Sequence, residues 1–240
     1  MSRNRKVLAT TVVAAVGAGA AIAIYLSAEA PEAVDIDAAV EQVGGADAVT
    51  EDAEADLAGT WSVDPSIGTF SVTESSGTFV GFRVAEELTG PGEVEAIGRT
   101  PAVSGSLTLE GTVVTEAGFE ADMTQLVSDR SQRDRRMRDA VGAGTHPMAS
   151  FVLTDPVELG ALPAEGETVQ IAAEGELTVN GVSRPVTVPL DAAVSDGVLV
   201  VTGSFPIVFA DHDVTPPSAP VVVSVDDNGI VELQLFLSRG

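Results

Sequence analysis

Residues 169–190, VQIAAEGELTVNGVSRPVTVPL, contain two runs in which apolar and polar residues alternate, joined at Asn180-Gly181. Alternation with a period of two is typical of a strand that buries one face, and Asn-Gly is a favoured centre of a two-residue hairpin turn. The stretch therefore predicts two antiparallel strands that are neighbours in a sheet. The apolar positions of this hairpin are Val169, Ile171, Ala173, Leu177, Val179, Val186, Val188 and Leu190.

The same alternation recurs from Gly59 to the C-terminus. Asp196-Gly197 separates two further valine-rich runs, and Asp227-Asn228-Gly229 is predicted to do the same. About eight or nine strands in roughly 180 residues favour an all-β, up-and-down antiparallel barrel. The remaining alternating sets are Phe70/Val72, Val80/Phe82/Val84, Leu107/Leu109, Phe119/Ala121/Met123, Phe205/Ile207/Phe209, Val221/Val223/Val225 and Val231/Leu233/Leu235/Leu237.

One segment departs from this pattern. Asp129 to Ala140 has no β-branched residue, and Met137, Ala140 and Val141 share a face at helical spacing. We expect a short helix that crosses one end of the barrel. It carries the only basic cluster of an otherwise acidic domain, namely Arg130, Arg133, Arg135, Arg136 and Arg138.

The N-terminus predicts export. Residues 1–6 contain Arg3, Arg5 and Lys6, and 7–26 form an uncharged run that would span about 30 Å as a helix, close to the hydrocarbon thickness of a bilayer. Basic residues on one side and acidic residues on the other predict a cytoplasmic N-terminus and a single-pass signal-anchor helix, with the remaining domain outside the cell membrane. The alternative is a cleaved signal peptide and a secreted protein, although Ala28-Glu29-Ala30 is followed by Pro31.

Residues 27–58 carry ten acidic residues and no basic ones. This charge density favours an acidic flexible linker between the anchor and the barrel domain, residues 59–240. Ile36, Val40 and Val43 have helical spacing, which leaves open a short helix that ends at Gly44-Gly45.

Composition excludes several classes of function. The net charge of −24 opposes nucleic-acid binding, because phosphate neutralisation needs lysine and arginine. The absence of cysteine excludes disulfides and thiolate chemistry. We expect no metal, cofactor or catalysis: adjacent strand residues point to opposite sides, so Asp211-His212-Asp213 is a poor ligand set, and no nucleophile motif occurs.

Four ordered motifs resemble the YceI-like family of bacterial envelope proteins. They are TWSVDP at 60–65, RDRRMR at 133–138, HPMASF at 146–151 and GELTVNGVSRPVTV at 175–188. The resemblance covers almost all of residues 59–240. It implies an extended, lipocalin-like barrel outside the cytoplasm that encloses an isoprenoid, a quinone or another amphiphile. It also implies that Arg133 and Asp134 form a structural pair. The segment 204–220, with Pro206 and Pro216-Pro217, departs from the family pattern and predicts an edge or an irregular loop.

These observations predict a membrane-tethered carrier or storage protein for a lipid-like ligand. The alternative is a structural or interaction module with a solid core, and cavity volume would separate the two. The oligomeric state is open, with a homodimer as one option. Trp61 is expected to seal a barrel end. The arginines of the helix either pair with nearby acidic residues or, at Arg133 and Arg136, face an anionic headgroup at the mouth. Residues expected to contact the tail are Phe70, Phe82, Val84, Phe119, Met123, Phe151, Ile171, Leu177, Val179 and Phe209.

Overall fold

A computed structural model describes residues 31–43, 57–90, 92–217 and 222–240. The strands are β1 (Gly59–Val63), β2 (Phe79–Leu88), β3 (Gly92–Thr100), β4 (Val103–Glu110), β5 (Val113–Asp122), β6 (Val127–Ser128), β7 (Met148–Leu153), β8 (Val157–Glu158), β9 (Thr168–Val179), β10 (Val182–Ser195), β11 (Val198–Val208), β12 (Val222–Val225) and β13 (Asn228–Arg239). Two α-helices, α1 (Ile36–Val43) and α2 (Ser131–Ala140), and 3-10 turns at Met123–Gln125 and Phe209–His212 complete the described elements.

Eight antiparallel strands form a closed barrel. Their order is β1-β4-β5-β7-β9-β10-β11-β13, and pairing of β1 with β13 closes the ring. The predicted all-β antiparallel barrel is therefore confirmed. The β9–β10 hairpin quoted above has twelve register pairs, from Val182↔Val179 to Ala193↔Thr168.

Further strands pair with the edge of β13 that also carries β1. Near its C-terminal end β13 pairs with β1, and over Ile230–Gln234 the same edge pairs with β2. β2 pairs in turn with β3, which leads into β4 through Pro101-Ala102. One side of the sheet is therefore built from β1 and β4 at one end and from β2 and β3 at the other.

Two of the three predicted reversals are confirmed. Asn180-Gly181 and Asp196-Gly197 have φ of 51° and 74°, and of 50° and 73°, which is the left-handed backbone of a type I′ hairpin turn. The prediction for Asp227-Asn228-Gly229 is wrong. β12 and β13 both pair with β2, at Val222↔Leu88 and then at Ile230↔Arg83, so the chain continues in one direction.

The segment before β1 packs on the barrel, which corrects the expectation of a flexible linker for its described part. Asp35 caps α1, since its Oδ1 accepts a hydrogen bond from Ala38 N–H at 2.9 Å. Ala39 and Val43 have no exposed surface and pack with Val198, Val200 and Phe236 on the outer face of β11 and β13. The apolar spacing of this segment outweighs its charge. The rest of the predicted linker, 27–30 and 44–56, lies outside the described residues.

Alternation along β2 and β13 separates an apolar inner face from a charged outer face. Val80, Phe82 and Val84 face the interior, whereas Arg83 lies on the opposite side with Glu232 of β13. Adjacent residues of a strand must point to opposite faces. The outer face here is buried under the chain around residues 31–34 and the loop 64–78.

The outer face holds a buried ionic cluster, defined here as Arg83, Arg99 and Glu232. Glu232 accepts hydrogen bonds from Arg83 Nε at 2.6 Å and from Arg99 Nη2 at 2.9 Å. Arg83 also donates to the carbonyl oxygens of Pro31, at 2.7 Å, and of Glu32. The cluster therefore holds Pro31 and Glu32 against the barrel.

The predicted membrane span, 7–26, lies outside the described residues. Within the part of the chain that the structure describes, no helix is long and apolar enough to cross a membrane.

Candidate functional site

The barrel interior contains a large apolar cavity, cavity 1, with a volume of about 170 Å³. Its lining is apolar except at Glu120 and Ser150. A cavity volume of only about 10–15 Å³ is enough to hold one water molecule. Cavities lined by aliphatic side chains nevertheless stay dry and bind apolar molecules. The lining comes from the inward positions of the barrel strands and from Leu57, Leu159, Leu162 and Pro163 in the loops.

Cavity 2, of about 110 Å³, adjoins cavity 1. Val80, Ala149, Leu177 and Val231 line both, so the two spaces meet at these four side chains. Cavity 2 extends beneath α2, where Met137, Ala140 and Val141 line it. These three residues are the ones whose helical spacing predicts a helix across a barrel end, and that prediction is confirmed.

Most residues predicted to contact the tail line these cavities. Phe119, Phe151 and Ile171 line cavity 1, and Leu177 lines both. The cavity 2 lining includes Phe82, Val84, Met123, Val179 and Phe209. Their contact with a ligand stays a prediction.

Phe70 lies elsewhere. Residues 64–78 form turns with one isolated bridge, Ser71↔Ser76, so the strand predicted at Phe70 and Val72 is wrong. Ser75 and Gly77 have φ of 51° and 73°, which interrupts an extended chain. The loop folds over Arg99, which donates to Val72 O at 2.9 Å and to Ser75 Oγ at 2.7 Å. Phe70 lines neither cavity.

Two arginines of α2, Arg133 and Arg135, contact acidic side chains, and Arg138 donates to Leu126 O at 2.9 Å. Arg133 Nη2 lies 3.5 Å from Glu86 Oε2, and its Nη1 lies 3.5 Å from Asp129 Oδ1. Arg135 pairs with Asp139 at 3.7 Å on the exposed side. Arg136 is exposed and lines neither cavity. The interpretation of these side chains as partners of nearby carboxylates is therefore favoured over direct headgroup contact.

The predicted pairing of Arg133 with Asp134 is wrong. Asp134 Oδ1 instead accepts hydrogen bonds from Ser128 N–H at 2.9 Å and from the Ser128 hydroxyl at 2.6 Å. These bonds tie Asp134, in the first turn of α2, to the chain that leads into the helix.

Glu86 is a site residue that the sequence interpretation missed. It follows Val80, Phe82 and Val84 in the inward row of β2, lines cavity 2, and is 7% exposed. Burial raises the pKa of Glu86 above its ordinary range, Arg133 opposes this rise, and Asp129 adds to it. The signal was available in the sequence, because continuing the alternation of this strand places a carboxylate inside.

Trp61 lines cavity 1 and is 4% exposed. Its indole N–H donates to Leu57 O at 2.9 Å, and Arg239 lies 5.6 Å from its ring centroid. Trp61 therefore ties the chain before β1 to the cavity wall, and its sealing of a barrel end stays a prediction.

The segment that departs from the family pattern encloses cavity 2. Pro206 pairs with Ile230 of β13, but the pairing of β11 with β10 ends at Gly203. On the β10 side Pro206 therefore has no strand neighbour, and proline, which lacks an N–H donor, is tolerated at such an edge. Beyond it, Phe209, Val214, Pro216 and Pro217 line cavity 2. His212 is buried, with Nδ1 3.0 Å from Val182 O, which anchors this wall to β10.

The fold and its two cavities define a closed antiparallel barrel with an enclosed apolar interior. The YceI-like domain model matches residues 61–237, and the chain belongs to this family. A search of curated proteins found no match. One similar solved structure is a polyisoprenoid-binding domain from Saccharophagus degradans, with a TM-score of 0.56, 20% identity, and coverage of 75% of this chain and 98% of that chain. Another is BcnA of Burkholderia cenocepacia, with a TM-score of 0.50, 20% identity, and coverage of 66% and 95%.

Proposed function

We propose that this protein binds a lipid-like amphiphile, with an isoprenoid, quinone or fatty acyl tail, inside its barrel. The observation that carries the proposal is the pair of adjoining apolar cavities that meet at Val80, Ala149, Leu177 and Val231. A solid core, which the interaction-module alternative requires, would leave no such space. The similar Saccharophagus degradans domain, described as polyisoprenoid-binding, supports the same class of ligand.

The mechanism is desolvation and shape selection. Each buried methylene contributes about 0.8 kcal/mol, so a tail of ten methylenes would gain roughly 8 kcal/mol before the costs of ordering the chain. With no chemical step required, the protein acts as a carrier or storage site and not as an enzyme. We further propose that the N-terminal apolar segment holds the barrel outside the cell membrane, where such lipids must be shielded from water.

Ala149→Leu tests the proposal at the junction of the cavities. Ala149 is 9% exposed and lines both spaces, so a larger side chain there divides them. Ala172→Leu is the matched control, because Ala172 is an exposed outward residue of β9. The full chain is incubated with a C20 prenol and with a C18 fatty alcohol, and complexes are measured by native mass spectrometry.

We expect the wild type and Ala172→Leu to bind one lipid per chain, and Ala149→Leu to bind at least about tenfold more weakly, a difference of 1.4 kcal/mol. A wild type that stays free of every lipid, or an Ala149→Leu variant that binds as well as the wild type, would refute the proposal.

A further inference from the structure

Cavity 2 has one charged lining residue among those described, Glu86. The side chains around it are apolar, including Phe82, Val84 and Met137. A polar group enclosed in this way interacts strongly with whatever part of a ligand reaches it, because the apolar walls provide little dielectric screening. The polar end of an amphiphile in cavity 2 would therefore meet a carboxylate.

The nearby cations are already engaged with carboxylates. Arg133 lies between Glu86 and Asp129, at 3.5 Å from each, and Arg130 Nε lies 3.5 Å from the other oxygen of Asp129. These two carboxylates and two guanidinium groups leave the local charge close to balanced. Arg133 itself does not line the cavity, so Glu86 stands between its guanidinium and the apolar space. An anionic head would have to approach Glu86 or displace it from Arg133.

We propose that Glu86 makes this end of cavity 2 a hydrogen-bond-accepting head site, which selects a lipid with a neutral donor head over one with the same tail and an anionic head. Hydroxyl, phenol and carboxamide heads satisfy this requirement, because an O–H or N–H can donate to the carboxylate. Carboxylate and phosphate heads do not, because a second negative charge beside the Glu86 carboxylate is unfavourable in an apolar surrounding. The inference rests on the proposed function, which supplies the tail site.

The test uses three lipids with one C18 tail and different heads: oleyl alcohol, oleamide and oleate. Their affinities for the full chain are measured at mildly alkaline pH by displacement of a fluorescent apolar probe. Oleate is harder to desolvate than the alcohol at any apolar site, so the informative quantity is the ratio of the two affinities in the wild type and in Glu86→Gln. Glu87→Gln is the control, because Glu87 is the exposed next residue of β2.

We expect the alcohol and the amide to bind at least about tenfold more tightly than oleate in the wild type and in Glu87→Gln. In Glu86→Gln, which keeps the shape and removes the charge, we expect the ratio to fall by at least about tenfold, or 1.4 kcal/mol. A wild type that binds oleate as tightly as the alcohol overturns the inference without any variant. A ratio unchanged in folded Glu86→Gln also overturns it. Binding of none of the three lipids would remove the proposed function as well, whereas equal binding of all three removes only the head preference.

Discussion

Arg99 Nη2 donates a hydrogen bond to Glu232 Oε2 at 2.9 Å, and the two side chains are 0% and 1% exposed. Glu232 also accepts from Arg83, so one carboxylate bridges two guanidinium groups on the outside of the barrel wall. Burial lowers the pKa of Arg99 from its ordinary value, while the hydrogen bond from Arg99 to Glu232 opposes this shift. Glu232 is therefore the carboxylate that both guanidinium groups share, while Arg83 has a second carboxylate partner in Glu95, at 2.7 Å.

Glu232→Ala removes the carboxylate and leaves two buried cations without it. Breaking a buried pair in this way typically costs about 3–5 kcal/mol, because the remaining charge stays out of water. We expect urea denaturation to show a loss of this size in the free energy of unfolding. Glu116→Ala, at an exposed position on β5, should change it by less than about 0.5 kcal/mol. A loss below about 1 kcal/mol for Glu232→Ala would contradict the assigned role of the cluster.

Gly81 marks a close approach between β2 and β3. A Cβ added at Gly81 would lie against the Gly98 carbonyl oxygen and 2.9 Å from Arg99 Cα, and these backbone atoms cannot rotate away. We expect Gly81→Ala to destabilise the protein by about 3 kcal/mol, the upper range for overpacked positions. Gly118→Ala on β5 is the matched control, because nothing lies within 4 Å of its added Cβ. Equal melting temperatures for the two variants would contradict the close approach.

The docking of α1 is tested by two adjacent alanines. Ala39 is fully buried against the barrel, whereas Ala38 is exposed. Ala39→Gln should separate the helix from β11 and make the chain near residues 36–43 sensitive to protease, while Ala38→Gln should leave it resistant. Gln is a good helix former, so helix propensity is matched between the variants. Equal protease sensitivity of both variants would show that the helix does not depend on this contact.

Glu86 predicts a pH dependence of stability. Because its folded-state pKa is raised above its unfolded value, the folded protein holds the proton more tightly. The stabilising contribution of Glu86 is therefore full below the unfolded pKa and is lost as the pH rises through the folded pKa. Urea unfolding between about pH 4 and 8 should show the wild type losing stability relative to Glu86→Gln as the pH rises. If the difference in free energy of unfolding between the wild type and Glu86→Gln is constant with pH, or changes in the opposite direction, the raised pKa is contradicted.

Most of the barrel strands could be predicted from the alternation of apolar and polar residues and from the residues at the turns. The strands around Asn180-Gly181 and Asp196-Gly197 could be predicted because period and turn type agree there. The same reasoning identified most of the cavity lining, since inward rows such as Phe82 and Val84 follow directly from the period of two. It failed at Asp227-Asn228-Gly229, where a turn-like sequence joins β12 to β13 but the two strands run in the same direction along β2.

The outer face could not be predicted in the same way. Arg83 and Glu232 occupy positions that a one-sided barrel would expose, and a single strand pattern does not show that another part of the chain will cover them. The cover comes from residues 31–34 and the loop 64–78, which are distant in sequence from β13. Acidic composition in the N-terminal segment favoured a solvated chain, yet the apolar spacing of α1 was sufficient to pack it on the barrel.

Because both faces of β2 are covered, this strand restricts where the domain can gain or lose residues. It carries Val80, Phe82 and Val84 toward the cavities and Gly81 and Arg83 toward the covered outer face, so neither side meets open solvent there. Insertion or deletion of one residue would exchange the two sets, turning a guanidinium into the lipid space and a phenyl ring into the ionic cluster. The turn around Gly111, where nothing surrounds an added atom, can lengthen freely. Natural variation in this domain should therefore accumulate insertions at such turns and spare β2.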